Sequence, residues 1–411
     1  MRSWLPSFIA ALLLLCAAGS GAGAAEPAFA KWLDAIWPEA QRLGVSRATF
    51  DTATRSLEPD LSLPDLVVPG RVERPSAQPE FVQTPADYVR ERTIAQLAAQ
   101  GRKLHDQHRA TLAAIERQYG VPPGVILAIW GRETAYGGHK LGHDAIRVLA
   151  TQAYVGRRKD QFRQEFLLAL KMLQDGHVTR ANMRSSWAGA MGHTQFLPGD
   201  FYRHAVDHDG DGRRDIWNSV PDALASAASQ LVGKGWQRGR RWAYEVRVTR
   251  PVDCTIAEPS VTLPVAEWLG RGLVPAYDRK LGRDELAETA SLLLPEGTYG
   301  PAFLTPKNYY VIKDYNFSDL YVLFVGHLAD RIGDPRPFEK PWSKSAQLRS
   351  AEVEAMQRRL TELGYYRDKL DGKAGMLTRS ALGAYQKANG LKVDCWPTSA
   401  VLDHMRTGTA R

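Results

Sequence analysis

Residues 121–138 read VPPGVILAIWGRETAYGG, a pattern that predicts one short buried helix. Pro122 and Pro123 suit a first helical turn, where a missing N–H costs little. Gly137 and Gly138 suit the end. Between them Ile126, Ile129, Trp130 and Glu133 fall at i, i+3, i+4 and i+7, which aligns them on one face. A carboxylate on an apolar face is expensive, and desolvation there favours its protonated form. A protonated carboxyl held against aromatic and aliphatic groups can serve as a general acid. The plainer alternative is a helix-end glutamate, capped by Arg132 or facing solvent.

The 411 residues have room for two or three domains, and 44% hydrophobic with 24% charged residues is a globular composition. The formal net charge of +8 suits an acidic polymer: nucleic acid, anionic lipid or cell wall. No stretch reads as a DNA-binding module and no Cys/His spacing suits zinc, which argues against nucleic acid. Residues 1–25 read as an export signal, with Arg2 as the charged start and an apolar run from Phe8 to Leu15. Small residues at 22–25 supply the cleavage site. Cys16 opens a lipoprotein alternative, against which bulky Leu15 argues. No other run is long and apolar enough to span a bilayer. The mature chain then holds Cys254 and Cys395. Export permits their pairing, but they fall in different predicted domains, so both states stay open.

Along the chain, residues 26–57 predict helix. Phe29, Trp32, Leu33, Ile36 and Trp37 form one face, Pro38 interrupts, Gly44 terminates, and a short helix starts at Ser46. The proline-rich run from Glu58 to Pro85 predicts an extended strap. Tyr88–Tyr119 is a long helical pattern, and Asp160–Leu173 another. Ser185–Pro198, SSWAGAMGHTQFLP, is rich in small residues, which suits close approach to a ligand or plain helix packing. Trp242–Val248 and Ser291–Leu294 predict strands of a small sheet. Asn308–Tyr321, NYYVIKDYNFSDLY, offers aromatic faces and amides, as a sugar site needs, or a tyrosine-rich packing helix. Residues 333–345 predict a linker. Beyond it, 12 Lys/Arg against 7 Asp/Glu in Ser343–Arg411 concentrate the positive charge in one small domain.

In order, YGVPPGVILAIWGRETAYG, SSWAGAMGHTQFLP, DHDGDGRRDIWNSVPDALASAA and NYYVIKDYNFSDLY resemble the lytic murein transglycosylase B family. MQRRLTELGYYRDKLDGKAGMLTRSALGAYQKANGL resembles the peptidoglycan-binding domain attached to such enzymes. The resemblance implies a mostly α, α+β fold. A lysozyme-like helical catalytic domain with a small β insertion (26–332) would be followed by the linker (333–345) and a three-helix peptidoglycan-binding domain (346–411). It implies cleavage of the β-1,4 bond between N-acetylmuramic acid and N-acetylglucosamine, without water and without a cofactor. A hydrolytic muramidase and a non-catalytic wall-anchoring protein are the alternatives.

Residue by residue, Glu133 matches the family's catalytic acid/base. Ser186 and Gln195 match substrate-contacting positions, Tyr315, Asn316 and Tyr321 match a YN…Y segment lining the cleft, and Tyr88 matches an upstream tyrosine. Two positions depart: Gln230 replaces a cleft tyrosine, and Cys395 replaces a glycine of the wall-binding domain. Peptidoglycan strands are the expected partner, met in the periplasm by a monomer, with Tyr365 and Tyr366 at the wall contact.

Residues 207–215, DHDGDGRRD, follow the D-x-D-x-D-G start of an EF-hand loop. Asp207, Asp209 and Asp211 occupy positions 1, 3 and 5, Arg213 would offer its carbonyl, and Asp215 stands at position 9. Asn218 replaces the closing glutamate at position 12, and the resemblance points to Asp222 instead. The expectation is a structural Ca2+; the alternative is a solvated Asp/Gly turn.

Overall fold

The computed structural model describes residues 27–71, 79–258, 260–343 and 348–407. The export signal and Cys16 lie outside the described residues. Counting helices of eight residues or more, the chain begins with α1 (Pro27–Arg42) and α2 (Arg47–Thr54). Contrary to expectation, α1 runs through Pro38: Phe29, Leu33, Ile36 and Ala40 are buried along one side and hold the helix on both flanks of the proline. Ser46 caps α2 by accepting from the Thr49 N–H. The strap includes two single turns, Pro79–Val82 and Pro85–Tyr88. The long pattern to Tyr119 is two helices, α3 (Glu91–Gln107) and α4 (Arg109–Tyr119), broken at His108. Next come α5 (Pro123–Thr134), α6 (Ala145–Val155), α7 (Lys159–Gln174) and α8 (Val220–Gly233). The sequence reading had not marked α6.

A five-stranded antiparallel sheet is inserted after α8. Its strands are β1 (Tyr244–Val248), β2 (Thr262–Pro264), β3 (Leu273–Pro275), β4 (Thr289–Leu293) and β5 (Ala302–Thr305), in the order β2-β4-β5-β1-β3. Val246 pairs with Ala302 on one side and Pro275 on the other, so β1 is internal. Helices α9 (Lys307–Asn316) and α10 (Asp319–Gly333) return the chain to the helical body. Residues 334–343 do not hang free as a linker. Phe338 packs on Phe303 and His327, and Trp342 on Phe303, so the segment lies along the sheet. Three helices, α11 (Ser350–Glu362), α12 (Met376–Ala388) and α13 (Ser399–Thr407), then build their own core from Met356, Leu360, Leu382 and Leu402.

The helical body has two cores. One gathers α3, α4, α5, α8 and α10 around Trp130 and Tyr321; the other gathers α1, α2, α6 and α7 around Phe162 and Phe166. Tyr315 packs against both and so marks the seam between them. The C-terminal domain is docked on the insertion. Cys254 and Cys395 form a disulfide with a Cα–Cα distance of 6.1 Å. Thr298 N–H donates to the Asp394 carbonyl at 3.1 Å, and Lys387 pairs with Asp253 at 2.6 Å. A Cβ on Gly297 would stand 2.0 Å from the Asp394 carbonyl oxygen, so only glycine permits this approach.

Candidate active site at the seam

Helix α5 is buried on nearly every side: Val125 through Gly131 are all in the core. Glu133 comes one residue before its end and is half-buried. The helix stops earlier than the glycines suggested. Ala135 and Tyr136 both take left-handed backbone (φ 48 and φ 59), and Gly137 continues it at φ 80. For Ala135 and Tyr136 such backbone costs about 1–2 kcal/mol each. The Tyr136 hydroxyl, donating to the Leu97 carbonyl at 2.9 Å, and its packing against Gly131 hold the bend.

Opposite lies Ser185–Pro198. It is not a packing helix: Gly189, Gly192 and Gln195 all have positive φ, and bridges join Ser185 to Met191 and Met191 to Phe196. Ser186 Oγ accepts from the N–H of Ala188 and Ala190 at 3.4 and 3.3 Å, closing the first turn. Gln195 Nε2 donates to the Gly192 carbonyl at 3.1 Å and shapes the second. The loop is bound to α5 through His193. Trp130 Nε1 donates to His193 Nδ1 at 3.1 Å, and Thr134 Oγ1 donates to the His193 carbonyl at 2.8 Å. Burial holds the His193 ring below its ordinary pKa, consistent with a neutral ring accepting from Trp130.

The third wall is the α9–α10 junction. The Tyr321 hydroxyl donates to Glu133 Oε1 at 2.6 Å. Its ring stacks on Tyr315 at 6.1 Å and 8°. The Tyr315 hydroxyl donates to the Thr194 carbonyl at 2.7 Å, which returns the network to the loop. Burial first, and the Glu133 charge second, push both phenols well above their ordinary pKa, so both keep their protons and act as donors. Asn316 Oδ1 is buried with no hydrogen-bond partner in the structure.

Glu133, Ser186, Gln195, Tyr315, Asn316 and Tyr321 thus belong to three segments that meet at one seam. Tyr88 stands a step behind: only 6% exposed, it accepts from Arg132 Nε and Nη2 at 3.0 and 2.5 Å. Gln230 is buried in α8 with Oε1 unpartnered. Sequence reasoning did not assign the His193 and Thr194 carbonyls or the Trp130–His193 pair, because a backbone acceptor carries no side-chain signature. It also passed over Asp200, a second carboxylate felt by Tyr315, which is paired with Arg203 at 2.8 Å.

Carboxylate oxygens of Asp207, Asp209 and Asp211 lie within 4.8 Å of one another. Asp222 is fully buried and folds their loop from inside: it accepts from the N–H of His208, Asp209 and Asp215. Asp215 Oδ1 accepts from the N–H of Trp217 and Asn218. The structure therefore brings three of the candidate ligands together and turns Asp215 and Asp222 to backbone donors. In the C-terminal domain Tyr366 is 4% exposed, with its hydroxyl donating to the Lys369 carbonyl; it is a core residue rather than a free surface aromatic.

Residues 28–330 match the family described as Transglycosylase SLT domain, and residues 349–405 match a peptidoglycan binding domain. The structure is similar to SltB3 from Pseudomonas aeruginosa in complex with NAG-NAM-pentapeptide, with 38% identity, a TM-score of 0.83, and 92% of this chain and 99% of that chain covered. It is also similar to the Escherichia coli lytic transglycosylase Slt35 in complex with calcium, with 29% identity, a TM-score of 0.52, and 62% and 81% covered. The membrane-bound lytic murein transglycosylase B of Escherichia coli is 30% identical over 228 residues, 55% of this chain; the match spans 61% of that relative's length.

Proposed function

The chain belongs to the transglycosylase SLT family, and from that premise we propose that it is a lytic transglycosylase of peptidoglycan. The substrate bond is the β-1,4 link between N-acetylmuramic acid and N-acetylglucosamine. The observation that carries the reading is the Tyr321–Glu133 hydrogen bond at 2.6 Å, set in a network that closes through Tyr315 and Thr194. It fixes one carboxyl at the seam, aimed from a buried helix.

In the first step Glu133 gives its proton to the glycosidic oxygen, the C1–O bond breaks, and the glucosamine leaves as an alcohol. The muramic acetamido carbonyl stabilises C1, with Asn316 orienting that group. Glu133, now a carboxylate, takes the proton of the muramic C6 hydroxyl as its oxygen bonds to C1. The sugar closes on itself as a 1,6-anhydro ring, no water is consumed, and Glu133 is protonated again. Tyr321 donates to Glu133 throughout and steadies its carboxylate form between the steps.

The test is mass spectrometry of digested murein. Anhydro-ended fragments, lighter by one water than hydrolysed ones, are expected, and reducing ends alone would replace the reading with a muramidase. Glu133→Gln is expected to lower turnover by about 10²–10⁴-fold, the usual worth of a general acid. Full activity in that variant would overturn the assignment of Glu133 as the acid.

The C-terminal domain would hold the enzyme to the sacculus, in the periplasm if residues 1–25 direct export. Among the described residues no helix is long and apolar enough to cross a membrane. Asp207, Asp209 and Asp211 supply the hard oxygen donors that Ca2+ prefers, and their loop is already folded by Asp222. Ca2+ there would stabilise the loop and take no part in the chemistry. A melting temperature of metal-stripped protein unmoved by millimolar calcium would discard that site.

A further inference from the structure

We propose that Arg379, in the wall-binding domain, is a positioning residue for the catalytic seam, acting through Asp319 on Tyr321. The inference rests on the transglycosylase reading above and adds a role for the second domain beyond wall attachment.

Asn316 ends α9 and Tyr321 lies in the first turn of α10, so two site residues flank one short connection. That connection turns at Phe317, which has φ 58 and is 76% exposed. A strained, exposed residue does not hold its own turn in place. The residue that ties the turn down is Asp319. Its Oδ1 accepts from Lys313 Nζ at 2.5 Å and from the Tyr309 hydroxyl at 2.8 Å, both on α9. Its Oδ2 takes Arg379 Nη2 at 3.4 Å, from α12. The side chains of Asp319 and Arg379 are each 12% exposed, so water screens the pair little.

The position of Arg379 points the same way. It sits in the first turn of α12, where the helix dipole disfavours a cation. Its bond to the Ala374 carbonyl, at 2.8 Å, satisfies one nitrogen and leaves the rest of the fork to reach out. Asp319, in the first turn of α10, stands at the favourable end of its own helix. The arginine is explained by its partner and not by its helix. Helix α12 is also fixed to the catalytic body at its far end by the Lys387–Asp253 pair, and the disulfide packs beneath it at Gly383. Arg379 therefore presses on Asp319 from a rigid mount. Without it, Asp319 loses one of its three side-chain partners, the one on Oδ2, and the first turn of α10, with Tyr321 in it, is held less firmly.

The experiment uses the full chain and soluble glycan fragments, so that wall anchoring does not enter the rate. Arg379→Gln is expected to lower kcat by about tenfold, the worth of one charge-assisted contact, and to leave KM within about twofold. Binding to sacculi in a pull-down is expected to stay at the wild-type level. Arg379→Lys is expected to restore most of kcat. In a Tyr321→Phe background, Arg379→Gln is expected to cost less than about twofold, because both changes act on the same contact. Should Arg379→Gln fail to fold, Arg379→Met fills the same space without a buried amide and is read in the same way. Wild-type kcat in the charge-removing variant, a loss confined to KM or sacculus binding, or an equal loss in the Tyr321→Phe background would each overturn the inference. Absence of anhydro product from the wild-type chain would overturn the transglycosylase reading, and this inference with it.

Discussion

At the scale of the residue, the seam depends on the tyrosine that holds Glu133. Tyr321 donates to Oε1 at 2.6 Å from a ring that is 1% exposed, so the hydrogen bond is protected from water. Tyr321→Phe removes the donor and leaves the ring. A hydrogen bond to a charged group is worth roughly 1.5–3 kcal/mol, so kcat is expected to fall about 10–100-fold with the fold intact. Release of anhydro-ended fragments, followed alongside near-UV circular dichroism, checks both halves. An unchanged rate would mean that Tyr321 is only packing. Glu133 itself was legible from periodicity, since it alone interrupts an apolar stripe on its helix. Composition marked the segment 308–321 as suited to a sugar or to plain packing, and Tyr315, Asn316 and Tyr321 were singled out within it through family resemblance. The Thr194 and His193 carbonyls were not legible at all: their places follow from three left-handed residues in one loop, and any side chain leaves a carbonyl behind.

At the scale of the element, helical periodicity reported well and irregular segments reported poorly. The α5 and α7 patterns led to helices, because buried faces on those segments are continuous. SSWAGAMGHTQFLP was ambiguous because small residues serve a close helix crossing and a tight turn equally. The run 333–345 looked like a spacer by its prolines, yet Phe338 and Trp342 find an apolar sheet to cover. That covering has a titration consequence. Glu245 on β1 accepts from the Lys340 N–H at 3.2 Å, beneath the segment 334–343. Burial pushes its carboxyl up from 4.5 to about 7. The folded state therefore binds this proton more tightly than the unfolded chain. Its contribution is fully present below about pH 4.5 and is lost as pH rises to about 7, at most about 3 kcal/mol over the window. Glu39, paired with Arg163 and held below its ordinary value, works in the opposite sense and loses its contribution in acid. Glu245→Gln is expected to flatten the fall in melting temperature between about pH 5 and pH 7. An identical slope in the variant would show that another group carries the dependence.

At the scale of the whole molecule, the two domains and the small sheet were legible, and their mutual attachment was not. A resemblance to two families says nothing of how their surfaces meet, and a separation of 141 residues does not reveal a Cα–Cα distance of 6.1 Å. The departure at position 395 becomes intelligible with the structure. Cys395 has φ 54, the left-handed backbone that glycine adopts without strain. This chain accepts a cost of about 1–2 kcal/mol there and gains a covalent tie between domains.

That tie changes what it means to cut the chain. Every peptide bond between 254 and 395 lies inside a closed covalent ring that contains four of the five strands, α9, α10, the segment 334–343 and two helices of the wall-binding domain. A protease that nicks the ring once opens it but separates nothing. The nicked protein is expected to run as one full-length band without reductant and as two fragments with it, and to keep its catalytic and wall-binding halves together on a sacculus. Two fragments appearing without reductant would show that the cysteines are not joined in solution. In a compartment shared with proteases, the enzyme would lose its grip on the wall only after two separate chemical events, a cleavage and a reduction.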